Sequence, residues 1–176
     1  MPDLTPLWIS IKVALISTVI VSILGIFICR TLYKRKGHAT KFLESLILLP
    51  IVLPPTVLGF ILIIIFSPRT FVGQFFQNIL HLPVVFTMTG AVIASVIVSF
   101  PLMYQHTIQG FRTINPKMLN TARTMGASER KIFYRLILPL SKRSIIAGIM
   151  MSFARAIGEF GATLMVAGYI PYKTNT

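Results

Sequence analysis

The chain has 176 residues, of which 55% are hydrophobic and only 12% charged, with a mean hydropathy of +0.80. A soluble domain of this size carries about 25% charged residues, so the composition excludes an ordinary soluble fold and points to an integral membrane protein. The net charge of +13 raises nucleic acid as a partner, but the basic residues cluster in two blocks between hydrophobic segments, as in membrane-surface loops, and that placement excludes it.

Met1–Pro6 is a short polar lead without a basic run or cleavage site. The apolar segment that follows, 7–29, is too long for a signal peptide and is expected to remain as the first span. At 1.5 Å per residue it covers a hydrocarbon core of about 30 Å. Lys12 lies near one end and can snorkel to the headgroups. The single cysteine, Cys29, excludes an intrachain disulfide and reads as a small packing residue. A basic loop over 30–41 follows, with Lys34, Arg35 and Lys36 at its centre.

The second span is expected over 42–66, with Glu44 at its mouth beside Lys41. Pro50, Pro54 and Pro55 fall inside it, and each removes a backbone donor and disfavours a straight helix. A break at that depth survives only where protein or a water-filled cavity surrounds it. Pro54 and Pro55 therefore read either as a packing kink or as a bend shaping a permeation path. The loop 67–83 holds one cation, Arg69, and an amphipathic patch over 71–82 suited to the membrane interface. The third span, 84–104, is free of charge, and Pro101 is expected to bend it. His81 and His106 have no partners at metal-ligand spacing and read as interfacial polar residues, so no metal or other cofactor is expected.

The block 112–143 is the most basic and polar part of the chain, and it must lie in water at the membrane surface. Within it, 115–139 reads as two short helices. Asn115 can cap the first, Pro116 suits its first turn, and Met118, Ala122 and Met125 share one face. Gly126 is placed to stop that helix in a left-handed conformation. Ser128 can cap the second helix, with Glu129 in its first turn, where a carboxylate suits the helix dipole.

The fourth span is expected over 144–170. Small residues recur along it every four positions, Gly148–Ser152–Ala156 in one row and Ala154–Gly158–Ala162 in another, a spacing that lets helices approach closely in lipid. Arg155 and Glu159 are its two opposite charges, four apart on one helix face. An ionisable residue at membrane depth is costly and faces a partner, a cavity or a water-filled path. The pair reads as a tie holding the helix to its neighbours, as part of a gate where Arg155 offers positive potential to an oxyanion and Glu159 restrains it, or as a contact to a second subunit.

Lys and Arg number five in 30–41, eight in 112–143 and one in 67–83. The positive-inside rule then places both basic loops in the cytoplasm and the N-terminus outside. The chain has no Gly-Lys-Ser/Thr phosphate loop and no acidic cluster for magnesium, so it is not expected to be an enzyme, and energy for transport must come from a partner.

TARTMGAS at 121–128, followed by Leu138-Pro139, resembles the "EAA" loop of ABC-importer permeases. Asn120 and Thr121 stand where Glu and the first Ala are usual, while Ala122 and Gly126 match. Two further stretches resemble the molybdate-type permeases: IVLPPTVLGF at 51–60, and FARAIGEFGATLMVAGYIPYKTNT at 153–176, with Tyr169 and Tyr172 where Asn and Gly are common. The sulfate-type permeases share GEFGA at 158–162 but usually diverge beyond it. The similarity runs over nearly the whole chain.

The resemblance implies an all-α, polytopic transmembrane helix bundle of the type I ABC-importer permease kind. The chain 1–176 is then a single permease domain, with four spans and a cytoplasmic two-helix coupling loop. It implies that Asn120, Thr121, Ala122, Arg123, Thr124, Met125, Gly126 and Ala127 dock on a cytoplasmic ABC ATPase. It also implies a homodimer around one pathway, an extracytoplasmic oxyanion-binding protein, and a prokaryotic plasma membrane with its lipid as surroundings. Family members continue through another spanning helix, so the chain is expected to be C-terminally shortened. The function expected is the permease subunit of an ATP-driven molybdate or tungstate importer. The rivals are a sulfate or thiosulfate permease, a secondary transporter independent of an ATPase, and a non-functional truncated product.

Overall fold

Every regular element among the described residues is helical. The computed structural model describes residues 5–35, 37–79 and 81–168. Lys36, Tyr169, Tyr172 and the rest of the 153–176 stretch beyond 168 lie outside them.

Helix α1 spans Thr5–Leu32, and α5 spans Met88–Arg112; both are long and apolar enough to cross a membrane. Thr87 starts α5 by accepting a hydrogen bond from the Gly90 N–H at 3.3 Å, which satisfies a donor no helical carbonyl can reach. The helix passes Pro101 and runs two turns beyond the expected end at 104. Along it Gly90, Ala91, Ala94, Ser95 and Ser99 are buried, and these small residues let neighbours approach.

The chain expected to form one span over 42–66 forms two helices, α2 (His38–Val52) and α3 (Pro55–Ile65), meeting at 118°. The Pro54-Pro55 pair accounts for the corner. The residue before a proline is pushed out of the helical region, and both Leu53 (ψ 137°) and Pro54 (ψ 139°) are extended. The prolines also lack the N–H groups that the Pro50 and Ile51 carbonyls would accept. Pro55 then takes the first position of α3, where a missing N–H costs nothing. Pro50, by contrast, stays within α2. Beyond α3, a short helix α4 (Phe71–Gln74) is capped by Thr70 and runs into a π-helical turn, Phe75–Ile79.

After α5 come α6 (Pro116–Thr124), α7 (Glu129–Ile132), a π-helical turn Phe133–Ile137 and α8 (Leu138–Leu140). A 67° bend at Ser141 leads into α9 (Lys142–Ile157). The helix expected to continue to 170 stops at Ile157, and α10 (Gly161–Ala167) begins after a three-residue interruption.

The largest core joins α1, α5, α9 and the basic block through Val21, Cys29, Met103, Phe111, Ile132 and Ile137. Met103, fully buried, is its wedge: a Cβ added to Gly25 of α1 would lie 2.6 Å from Met103 Cγ, and one on Gly148 of α9 would lie 3.0 Å from Met103 Sδ. The two glycines are therefore the sockets for one side chain. Ser152 on the same face of α9 donates to the Ser99 carbonyl at 3.3 Å. The row Gly148–Ser152–Ala156 is buried throughout, whereas the second row is split by the interruption, with Ala154 exposed on α9 and Ala162 buried on α10.

A second core joins α3, α5 and α10 through Leu58, Leu62, Val98, Ala162 and Val166. Here too the contact is close, since a Cβ on Gly59 would fall 3.1 Å from Ala162 Cα.

Gly148→Leu overfills the Met103 socket. The expected loss is about 1–3 kcal/mol, the usual effect of overpacking a close contact. It is read as a lowered melting temperature in detergent, and the double variant Gly148→Leu/Met103→Ala recovers part of it.

Candidate functional site

The polar block begins at an N-cap. Asn115 Oδ1 accepts from the Lys117 N–H at 2.9 Å, and Pro116 occupies the first turn of α6. The helix ends at Gly126, whose φ of +80° is left-handed. There the Ala127 N–H reaches the Ala122 carbonyl at 3.0 Å and the Gly126 N–H reaches Arg123 at 2.9 Å. These two bonds form the Schellman arrangement, which satisfies the last carbonyls of a helix. Ser128 then caps α7, accepting from the Lys131 N–H at 3.4 Å, and Glu129 lies in the first turn.

α6 has two faces. Leu119 is buried in the main core, and Ala122 and Ala127 pack against it. Met118 and Met125 flank Ala122 on the same helical face, as the spacing predicts, but stand at its rim, with Met118 38% and Met125 82% exposed. Asn120, Thr121, Arg123, Thr124 and Gly126 are exposed as well, and Ala122 and Ala127 half-buried. Asn120 accepts from Arg123 Nη1 at 2.6 Å, so at this position an amide engages the helix's own arginine.

Glu129 joins three elements. It accepts from Arg123 Nε at 2.8 Å and from Lys34 beyond α1. Arg123 first and then Lys34 hold its carboxyl below the ordinary value of 4.5. Nearby, the Arg30 guanidinium lies 4.6 Å above the Phe133 ring and donates to the Tyr134 hydroxyl at 3.4 Å. Phe111 stands edge-on to both Phe133 and Tyr33, each at 5.7 Å. The basic block is thus welded to the ends of α1 and α5 by a cation and a chain of aromatic rings.

The second group of residues lies at the interrupted end of α9. Arg155 Nη1 meets Glu159 Oε2 at 2.6 Å. The two do not share one continuous helix face, because Glu159 lies beyond the last residue of α9. The ion pair spans the interruption instead. The other carboxylate oxygen, Oε1, accepts from the Ala162 N–H at 2.7 Å, and so caps α10. Thr163 closes the turn by donating to the Glu159 carbonyl at 2.9 Å. The Glu159 side chain is 1% exposed, against 34% for Arg155, so the carboxylate is enclosed and its cation stands at the edge. A crevice of about 10 Å³ beside Glu159, shared with Ser10 and Thr163, has room for about one water.

The Pro54-Pro55 corner lies beside this interruption. A Cβ on Gly161 would fall 2.8 Å from Pro55 Cβ. The structure thereby brings the two breaks together, while α6 lies at the far end of α9. Sequence reasoning missed the ties made by Arg30, Lys34 and Glu129 and the pairing of Glu44, which bonds Arg112 of α5 rather than Lys41. One signal was available: the chain has four acidic residues against seventeen Lys and Arg, so each carboxylate is worth tracing to a partner.

The family described as "Binding-protein-dependent transport system inner membrane component" matches residues 21–174. The YvgM protein of Bacillus subtilis (strain 168), named provisionally as a molybdenum transport system permease, is 45% identical over 172 residues, 98% of this chain and 76% of its own. The molybdenum transport system permease ModB of Escherichia coli (strain K12) is 33% identical over 175 residues, 99% of this chain and 76% of its own. A probable sulfate transport system permease, cysT of Chlorokybus atmophyticus, is 31% identical over 168 residues, 96% of this chain and 58% of its own.

Two outcomes test this geometry. Arg155→Gln leaves an enclosed carboxylate without its cation and is expected to cost about 3 kcal/mol of stability, with Arg155→Gln/Glu159→Gln recovering much of it. Thermal melting in detergent reads both. The depressed pKa of Glu129 means that its ties to Arg123 and Lys34 contribute fully above the ordinary 4.5 and are lost as pH falls through the lowered folded value. Hydrogen exchange over 126–132, corrected for intrinsic rates, is expected to lose protection below that pH, and Glu129→Gln to abolish the dependence.

Proposed function

The chain belongs to the family of binding-protein-dependent transport system inner membrane components, and from that membership we propose that it is the membrane-spanning permease subunit of an ATP-driven molybdate importer. The substrate class is supported by the molybdenum permeases it resembles, with up to 45% identity among those described. In this reading two copies surround one pathway in a prokaryotic plasma membrane. A cytoplasmic ABC ATPase acts from one side, and an oxyanion-binding protein delivers substrate from the other.

The observation that carries the coupling role is the two-faced α6. Its outer surface presents the exposed Met118 and Met125 with the Thr121–Thr124 turn, a small apolar patch suited to a groove in another subunit. Its inward face is fixed to the core through Leu119, and the block as a whole is tied to α1 and α5 through Glu129, Arg30 and the aromatic rings. A pull on residues 120–127 is therefore delivered to the spans, rather than absorbed by a loose loop. Coupling of this kind needs two global states that the partner's nucleotide cycle biases.

The adjoining breaks at Pro54-Pro55 and Arg155–Glu159 are the proposed gate region. Broken helices at membrane depth are where transporters expose polar groups to a substrate. The clustering of Lys and Arg on the loops that carry α6 supports a cytoplasmic position for α6 and an N-terminus outside.

The test uses proteoliposomes holding this chain with its ATPase and binding protein. Gly126→Val forces a β-branched residue into the left-handed region, a strain of roughly 1–3 kcal/mol. It is expected to cut ATP-driven molybdate uptake by about tenfold or more while the variant still inserts. Uptake unchanged in that variant removes the coupling role. Uptake blocked equally by excess sulfate moves the assignment to the sulfate permeases, and uptake without the ATPase removes the ATP-driven class.

A further inference from the structure

Two depressions lie along the wedge between α1, α2 and α5, and the transport reading uses neither. The first is a cavity of about 490 Å³ at the end carrying the basic loops, lined by Arg35, Gly37, Thr40, Lys41, Glu44 and Arg112. The second is a groove of about 290 Å³ nearer the middle of the helices. Leu24 and Ile28 of α1, Leu46, Ile47 and Pro50 of α2, and Phe100 of α5 line it. Arg35 lies beyond the end of α1, and within α2 Lys41 precedes Ile47 by six residues, so the two depressions are displaced by about 9 Å along that helix.

The cavity carries uncommitted positive charge. Glu44 is engaged by Arg112. The side chains of Arg35 and Lys41 have no carboxylate or hydrogen-bond partner among the described residues. Thr40 is 8% exposed, lines the same cavity, and its hydroxyl has no protein partner among the described residues. Gly37 begins α2 at this wall and, lacking a side chain, offers no cap to the first-turn N–H groups. Two cations without partners among the described residues, the Thr40 hydroxyl and a helix start without a side-chain cap together suit a phosphate-type anion.

The groove carries no charge and no side-chain hydrogen-bonding group, which suits a hydrocarbon chain. A soluble anion would fill the cavity and leave the groove empty. A neutral hydrocarbon would do the reverse. One molecule with an anionic head and an acyl tail about 9 Å away satisfies both.

We infer that this wedge is a binding site for an anionic phospholipid of the leaflet on the basic-loop side. Its phosphate sits among Arg35, Lys41, Thr40 and the start of α2, and one acyl chain lies along the groove beside Ile47 and Phe100. A zwitterionic phosphatidylcholine would bring its ammonium group toward the same two cations and bind less well.

Native mass spectrometry of the full chain released from detergent, with phosphatidylglycerol or phosphatidylcholine of matched acyl chains, tests this. Phosphatidylglycerol is expected to be retained on the order of tenfold better, as two surface cations provide. Arg35→Gln/Lys41→Gln is expected to reduce it to the phosphatidylcholine level. Ile47→Trp, which fills the groove, is expected to weaken both lipids. Equal retention of the two lipids by the unmodified chain overturns the proposal without any variant. Displacement of phosphatidylglycerol by equimolar inorganic phosphate also overturns it, by making the cavity a site for soluble anions.

Discussion

A backbone in lipid has no water to satisfy its polar groups, so every departure from helix must be answered by the protein itself. Among the described residues, two such departures lie side by side, at Leu53–Pro55 and at Gly158–Phe160. The answer at the second break is one side chain. Glu159 holds Arg155 with one oxygen and caps the Ala162 amide with the other. The first break is closed differently, by Pro55 occupying a helix position that needs no donor and by α10 packing against α3. Since Gly161 lies against Pro55, the two solutions depend on each other.

The other described carboxylates do comparable work at the polar end. Glu44 joins α2 to α5 through Arg112, and Glu129 joins α6 to α7 and to the end of α1 through Arg123 and Lys34. In a chain with so few acids, each described one stands at a junction between elements. These ties are exposed or half-exposed, so each contributes little stability by itself. Their effect is positional, fixing how the basic block sits on the helices beneath it.

The sequence made the local chemistry of the basic block readable. The Asn115 cap, the first-turn Pro116, the left-handed Gly126 and the Ser128 cap are all short-range rules, and all four occur as the spacing predicts. Long-range partners were not readable. Nothing in the spacing of Glu129 indicates Lys34, ninety-five residues away, and nothing near Glu44 favours Arg112 over the adjacent Lys41. The breaks were half readable. The three prolines signalled a disturbance in 42–66, yet only the consecutive pair turns the chain, because each restricts the residue before it. At 158–160 the i,i+4 spacing of Arg155 and Glu159 imitated a continuous helix and hid the interruption.

Met103 has a mechanical meaning. One unbranched side chain is seated in hollows on two different helices, Gly25 of α1 and Gly148 of α9. Sliding either helix along α5 would lift it out of its hollow and push a neighbouring side chain into its place. The three rods are therefore keyed together against sliding. The sharp bends of the chain lie away from this key, at Ser141 and at the Pro54 corner.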